Sequence, residues 1–315
     1  MSDGAGSPGD PRREAVAPIG HVEKVLRVLG RTDYVTDGWT RLDSHGDRVT
    51  LSLATRTGVP VVAKLYPSGE GEATYANMQE LWRSSFGGRG RPPGLPRPID
   101  YLPDIGVLVM ERVEGRPLAG LDLSNRALVE GATRLVASLH RCDARPSTRR
   151  DWTRVVRSDA RKAGRVAGIM PQFADVFREV AEALGSTRPE DQELAPCHGD
   201  FSPQNVLVAV DRVTLIDWDR FQLADPARDI AYMGAWGWVW LRRQGRPADW
   251  SMLELVVEAY DSVRARASIR ARVGVHVAAG LMRIAHDLVM LRPEDRHLVP
   301  ELTAEALRHL RGHLR

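Results

Sequence analysis

The order of its apolar patterns predicts an α+β chain, β-rich in its first third and helical in the rest. Three observations carry this. Strand-length apolar runs crowd the chain before residue 112. Amphipathic helical spacing dominates after residue 118. Between them in character lies "PCHGDFSPQNVLVAVDRVTLIDWD" (196–219), where one histidine, four aspartates and an asparagine interrupt two short strand-like runs.

The 315 residues suffice for a large core in two lobes. With 43% hydrophobic and 27% charged residues, the composition is that of a globular protein, and a net charge of +3 without K/R-rich runs argues against a nucleic-acid partner. Cys142 and Cys197 have neither disulfide-framework nor zinc spacing. "MSDGAGSPGDPRREAVAP" lacks the apolar core of a signal peptide, and "IAYMGAWGWVWL" (230–241) is too short to span a bilayer. The expectation is a cytoplasmic protein with no membrane partner and no evident obligate protein partner.

Residues 1–18, rich in Gly, Pro and Ser, are expected to be a disordered tail. "IGHVEKVLRVLG" (19–30) has helical spacing and stops at Gly30. "RVTLSLATRTGVPVVAKLY" (48–66) reads as two strands around a turn at "RTGV". "GEATYANMQELWRSSF" (71–86) places Tyr75, Met78, Leu81 and Trp82 on one helix face. "GGRGRPPGLPRP" is a loop, and "GVLVMER" (106–112) is a strand ending the first lobe, 19–112. The second lobe, 113–315, holds amphipathic helices at 126–142 and 173–184, two short strands at "NVLVAV" and "RVTLID", and a mainly helical remainder from 226.

Aspartate and asparagine favour turns and helix caps, and that reading suits Asp211 between the strands and Asp225 before Pro226. The remaining acids fit a metal–phosphate site better. Asp200 and Asn205 lie five apart, and a hairpin of the two strands brings Asn205 near Asp217. A carboxylate and an amide oxygen are ligands for Mg²⁺. "HGDFSPQN" followed by "LIDWD" also has the spacing of a phosphoryl-transfer loop, His-x-Asp with Asn after four intervening residues, then a separate metal-binding Asp.

The stretch "HGDFSPQNVLV…LIDWDRFQLADPARDIAYM" resembles the aminoglycoside phosphotransferase family, small-molecule kinases of protein-kinase-like fold. The likeness runs over roughly residues 40–290 in layout and is sharp over 197–233. It implies a two-lobed protein-kinase-like fold, with a small antiparallel β-sheet lobe carrying one long helix and a larger, mainly helical lobe. It implies Asp200 as catalytic base, Asn205 and Asp217 as Mg²⁺ ligands, and His198 and Asp229 as structural support of the loop. The role of Asp219 stays open. Lys64, one of only three lysines in an arginine-rich chain, would meet the phosphates of ATP or GTP. Glu80 would pair with it, chosen over Glu70 and Glu72 for its place mid-helix. Met110, Glu111 and Val113 would lie against the nucleotide base, and "DSHGDR" (43–48), with the single glycine Gly46, would cover the phosphates.

The acceptor is expected to be a hydroxyl of a small molecule: a sugar, cyclitol, amino alcohol or antibiotic. "RCDARPSTRRDWTRVVRSDARKAGR" (141–165) holds nine Arg or Lys against three Asp. It is either a solvated helical face or the border of a site for a neutral or anionic acceptor. Trp236 and Trp240 are read as core residues ahead of a stacking platform, and His286–Asp287 as a paired core histidine. The alternative function is a nucleotide-binding pseudokinase or regulatory protein. The presence of Asp200, Asn205, Asp217 and Lys64 counts against it. A protein kinase proper is disfavoured by "HGD" and "DWD" in place of the usual loop motifs. Cys197–His198 makes no nucleophile–base pair, because adjacent strand residues point apart.

Overall fold

A computed structural model describes residues 19–45, 48–90, 92–189, 193–263 and 269–312. The expected tail (1–18) and Gly46 of the expected phosphate loop lie outside the described residues. The chain divides into two compact units: Met1–Gln79 with Pro96–Val113, and Glu80–Leu95 with Glu114–Arg315.

The first unit is built on a five-stranded antiparallel sheet. Its elements are α1 (Ile19–Leu29), β1 (Tyr34–His45), β2 (Arg48–Thr55), β3 (Pro60–Leu65), the start of α2 (Gly71–Arg83), β4 (Pro98–Leu102) and β5 (Val107–Glu111). Spatial order is β1-β2-β3-β5-β4. Period-two alternation explains the packing: Val61, Ala63 and Leu65 of β3 and Leu51 of β2 are buried in one core with Val22, Val25 and Leu29 of α1. Lys64 has the opposite parity on β3, between Thr50 of β2 and Leu108 of β5.

The second unit contains β6 (Arg116–Pro117), α3 (Arg126–Arg141), β7 (Arg149–Arg150), α4 (Trp152–Ile169), α5 (Ala174–Ser186), β8 (Ala195–Cys197), β9 (Val206–Val208), β10 (Val213–Leu215), β11 (Gln222–Ala224), α6 (Ala227–Arg243), α7 (Ser251–Val263), α8 (Arg270–Leu291) and α9 (Val299–Arg311). Two three-stranded sheets, β10-β9-β6 and β7-β11-β8, hold the loops between them. The basic segment 141–165 resolves into β7 and α4, whose first turn is capped by Asp151 accepting from Arg154 N at 3.0 Å.

Residues 80–95, expected in the first lobe, are fastened to the second unit instead. Ser85 N donates to Asp143 Oδ1 at 2.9 Å, Leu215 N donates to Gly94 O at 2.8 Å, and Arg212 reaches the carbonyls of Pro93 and Leu95. Helix α8 is the axis of this unit. It is long and apolar enough to cross a bilayer, but 78% of its apolar window is buried, the mark of a core helix. Helix α7 approaches α6 so closely that a Cβ on Gly237 would lie 2.2 Å from Met252 Sδ.

Candidate active site

The conspicuous acids converge on one side of the second unit through short, tightly bonded loops. Strand β8 ends at Cys197 and the chain turns at Gly199 with φ +76°. A Cβ there would lie 2.3 Å from the carbonyl oxygen of Arg220, so glycine is required by both backbone and space. That accounts for "HGD" in this loop.

Two buried side chains hold the turn. Asp229, 1% exposed on the first turn of α6, accepts from His198 N at 2.7 Å and Gly199 N at 2.8 Å. His198 is itself fully buried, with Nε2 3.0 Å from Ile216 O and its ring 4.6 Å from that of Trp218. Burial alone would raise the Asp229 carboxyl. The His140 hydrogen bond and charge, with His198 and the Gly199 amide, bring it below its ordinary value.

Asp200 follows, 16% exposed at the side chain. Its Oδ1 accepts from Arg283 Nη2 at 2.6 Å, and Arg220 Nε stands 3.6 Å from Oδ2. Arg283 also donates through Nη1 to Gly199 O at 2.9 Å and lies over the Tyr232 ring at 4.3 Å. Burial alone would lower the Arg283 guanidinium, but the charges of Asp200, Tyr232 and Asp287 with the Asp200 hydrogen bond together outweigh it and raise it above its ordinary value.

Asn205 and Asp217 are joined by the hairpin. Strands β9 and β10 pair Val206 with Leu215, and one step further Ile216 N donates to Asn205 O at 3.0 Å. Asp217 follows at once, in the left-handed region at φ +66°, the only such non-glycine among the described residues. A strained backbone at a carboxylate is a frequent mark of a functional site. Asn205 Nδ2 donates to Asp200 O at 2.9 Å, which orients the side-chain amide against the His198–Asp200 loop. Carboxylate and amide oxygens, both half-buried, form a donor set suited to a hard divalent cation.

His140, Cys197 and Asp229 also bring potential ligand atoms within 4.8 Å of one another. Each has other work: His140 lies between Asp229 and the Tyr260 hydroxyl, Cys197 Sγ donates to Ala224 O, and Asp229 holds the loop. Burial pushes the Cys197 thiol well up, away from the thiolate that a metal requires. The cluster is structural.

The expected nucleotide residues fall in both units. On the first, Lys64 Nζ lies 5.3 Å from the centre of the Tyr66 ring. Met110 pairs with Val62 on β3, and Glu111 ends β5, with Val113 just beyond it. Glu111 N donates to Arg97 O at 2.9 Å, and Glu111 Oε2 accepts from Arg97 N at 2.9 Å. On the second, Glu80 Oε1 accepts from Arg145 N at 3.2 Å. Glu70 pairs with Arg48.

Asp225 does more than cap α6. It accepts from Ala227 N at 2.9 Å and forms a buried pair with Arg272 at 2.8 Å, with His276 Nε2 3.3 Å away. Trp236 and Trp240 are covered by the guanidinium groups of Arg243 and Arg246. His286 pairs with Asp287 at 2.9 Å. Sequence reasoning missed Arg283 and Trp218. For Arg283 a signal existed: a charge among Leu281, Met282, Ile284 and Ala285, within a run the helical pattern marks as core.

Comparisons with known proteins show the family and the fold. The model of the phosphotransferase enzyme family matches residues 40–270. The curated Protein LicA of Haemophilus influenzae is 34% identical over 67 residues, 21% of this chain and 21% of that protein, so the match spans about a fifth of the relative's length. Among solved structures, a choline/ethanolamine kinase family protein from Mesorhizobium loti superposes with a TM-score of 0.65 at 18% identity, over 94% of this chain and 100% of that one. A structure described as a putative fructosamine-3-kinase from Thermobifida fusca superposes at 0.60, also at 18% identity, over 94% and 99%. These likenesses establish the two-lobed kinase-like fold. With the family match spanning most of its length, the chain belongs to the phosphotransferase enzyme family.

Proposed function

We propose that this protein transfers the γ-phosphoryl group of ATP or GTP to a hydroxyl of a small molecule, with Asp200 as the base. The observation that carries the reading is the bracing of Asp200. Its loop is bonded at His198 N and Gly199 N by Asp229, and its carboxylate is held by Arg283. Phosphoryl transfer asks mainly for positioning. An arginine on the carboxylate fixes its direction, and a loose transition state needs little early proton abstraction. Asp200 would orient the attacking hydroxyl and take its proton late.

Asn205 and Asp217 would hold Mg²⁺, which when bound neutralises phosphate oxygens of the donor. Lys64 would supply a further cation to those phosphates, Glu80 would pair with Lys64, and Met110, Glu111 and Val113 would border the base. Two buried free thiols, Cys142 and Cys197, suit a reducing, cytoplasmic setting. The regulatory, pseudokinase reading draws its one support from the engagement of Asp200 by Arg283.

The deciding test is Mg²⁺-dependent ADP release against a panel of hydroxyl compounds, with the mass of each product checked for one added phosphoryl group. Turnover that disappears in Asp200→Asn supports the kinase. Turnover retained in that variant sinks the assignment of the base, and nucleotide binding with no turnover across the panel favours the regulatory protein.

A further inference from the structure

A small, partly open cleft lies in the second unit among α4, α6, α8 and β7. Arg150, Lys162, Arg228 and Arg283 line it, with Asp159 as the only carboxylate in its lining. Asp159 Oδ1 is taken by Lys162 at 2.5 Å, and Arg283 is taken by Asp200. That leaves Arg150 and Arg228, neither of which forms an ion pair among the described residues. Arg150 Nε and Arg228 Nη1 are sealed from solvent without a hydrogen-bond partner, as is Asp159 Oδ2, while Arg283 Nε stands 3.8 Å from Asp287 Oδ2.

Two buried guanidiniums without an ion pair are costly, and the single free carboxylate oxygen of Asp159, already shared with Lys162, cannot satisfy both, which leaves room for a ligand to complete the group. The cations also repel one another. Burial, with Arg150 and Arg283 adding to it, pushes Arg228 down to about 9, and burial lowers Arg150 as well. Planar guanidinium forks with free N–H groups match the paired oxygens of a carboxylate or phosphate. Arg283 both lines this cleft and holds the Asp200 carboxylate, so one side chain links the two.

We infer that the cavity binds a carboxylate or phosphate ester carried by the acceptor, which makes the acceptor an anionic hydroxyl compound rather than a cationic one. The acceptor half of this statement rests on the kinase reading; the anion site does not.

The test is calorimetric titration of the full chain, at fixed ionic strength, with four matched probes: glycerol, glycerate, glycerol 1-phosphate and ethanolamine. One of the two anions is expected to bind about tenfold or more tightly than glycerol or ethanolamine. Arg150→Gln and Arg228→Gln should each weaken that anion by a similar factor. Equal or tighter binding of glycerol or ethanolamine, no anion binding at millimolar concentration, or anion affinity unchanged in both variants would overturn the inference. Selectivity in the unaltered protein decides the matter even if a variant fails to fold. Mg²⁺·ATP is titrated separately: its failure to bind while an anion binds removes the kinase reading and leaves the anion site standing.

Discussion

Arg283 and Asp200 are 83 residues apart and joined at 2.6 Å, while the same guanidinium holds the carbonyl of Gly199. One residue of a core helix thus fixes both the backbone and the carboxylate of the His198–Asp200 loop. If the pair directs Asp200, Arg283→Met should lower turnover by about 10²-fold or more while Mg²⁺·ATP affinity stays within a small factor. ADP-release kinetics beside nucleotide titration would check this, and unchanged turnover would refute the positioning role.

Asp217 and Asn205 should govern the metal. Asp217→Ala is expected to weaken Mg²⁺-dependent nucleotide binding by at least about tenfold, and a chelator should do the same to the unaltered protein. An affinity that ignores both changes would take these residues out of the metal site.

Gly199→Ala should be strongly destabilising. The substitution forces a left-handed backbone on an L-residue and drives its Cβ onto the Arg220 carbonyl at 2.3 Å. The expected loss is about 2–4 kcal/mol, read as a shift in the urea midpoint at constant slope.

Acid should undo the loop through Asp229. Its folded carboxyl lies below the ordinary 3.8, so its contribution is fully present above that value and is lost as pH falls through the lower folded one. Asp225, also lowered, acts in the same window. Unfolding midpoints should therefore drop below about pH 4, with a shallower drop in Asp229→Asn, which begins less stable.

Arg228 carries the opposite sign. Its folded value of about 9 lies well below the ordinary guanidinium value, so the unfolded chain binds the proton more readily between the two and stability from this group rises with pH there. Arg228→Met should remove that rise and, at neutral pH without added anion, stabilise the protein by about 1 kcal/mol or more. A lower thermal midpoint in the variant would show that Arg228 is compensated within the fold.

Much of this was legible in local sequence. "HGDFSPQN" and "LIDWD" carry much of their geometry in short spacing, because the β9–β10 hairpin and the bonds from Asn205 to Asp200 and from His198 to Ile216 are local, although Asp229 and Arg283 brace the loop from farther along the chain. Alternation in "VPVVAKLYP" places Lys64 opposite the apolar core without knowledge of any partner. The helices of the second unit follow from the apolar period at Val129, Ala132, Val136 and Leu139.

Other features were decided by packing. Strand β4 arises in "PIDYL", which has little strand pattern of its own, because β5 offers it an edge. Residues 80–95 join the second unit through carbonyls that Arg212 and Leu215 seek from over a hundred residues away. Arg150, Lys162 and Arg228 look like solvated charge in a basic stretch and a helix start. Only the meeting of α4, α6 and α8 encloses them in one cavity. The sequence alone determined which acids sit beside which turns, because a short loop has few conformations that satisfy its own backbone. Tertiary structure decided which distant cations face them, because a long-range ion pair depends on where whole helices pack.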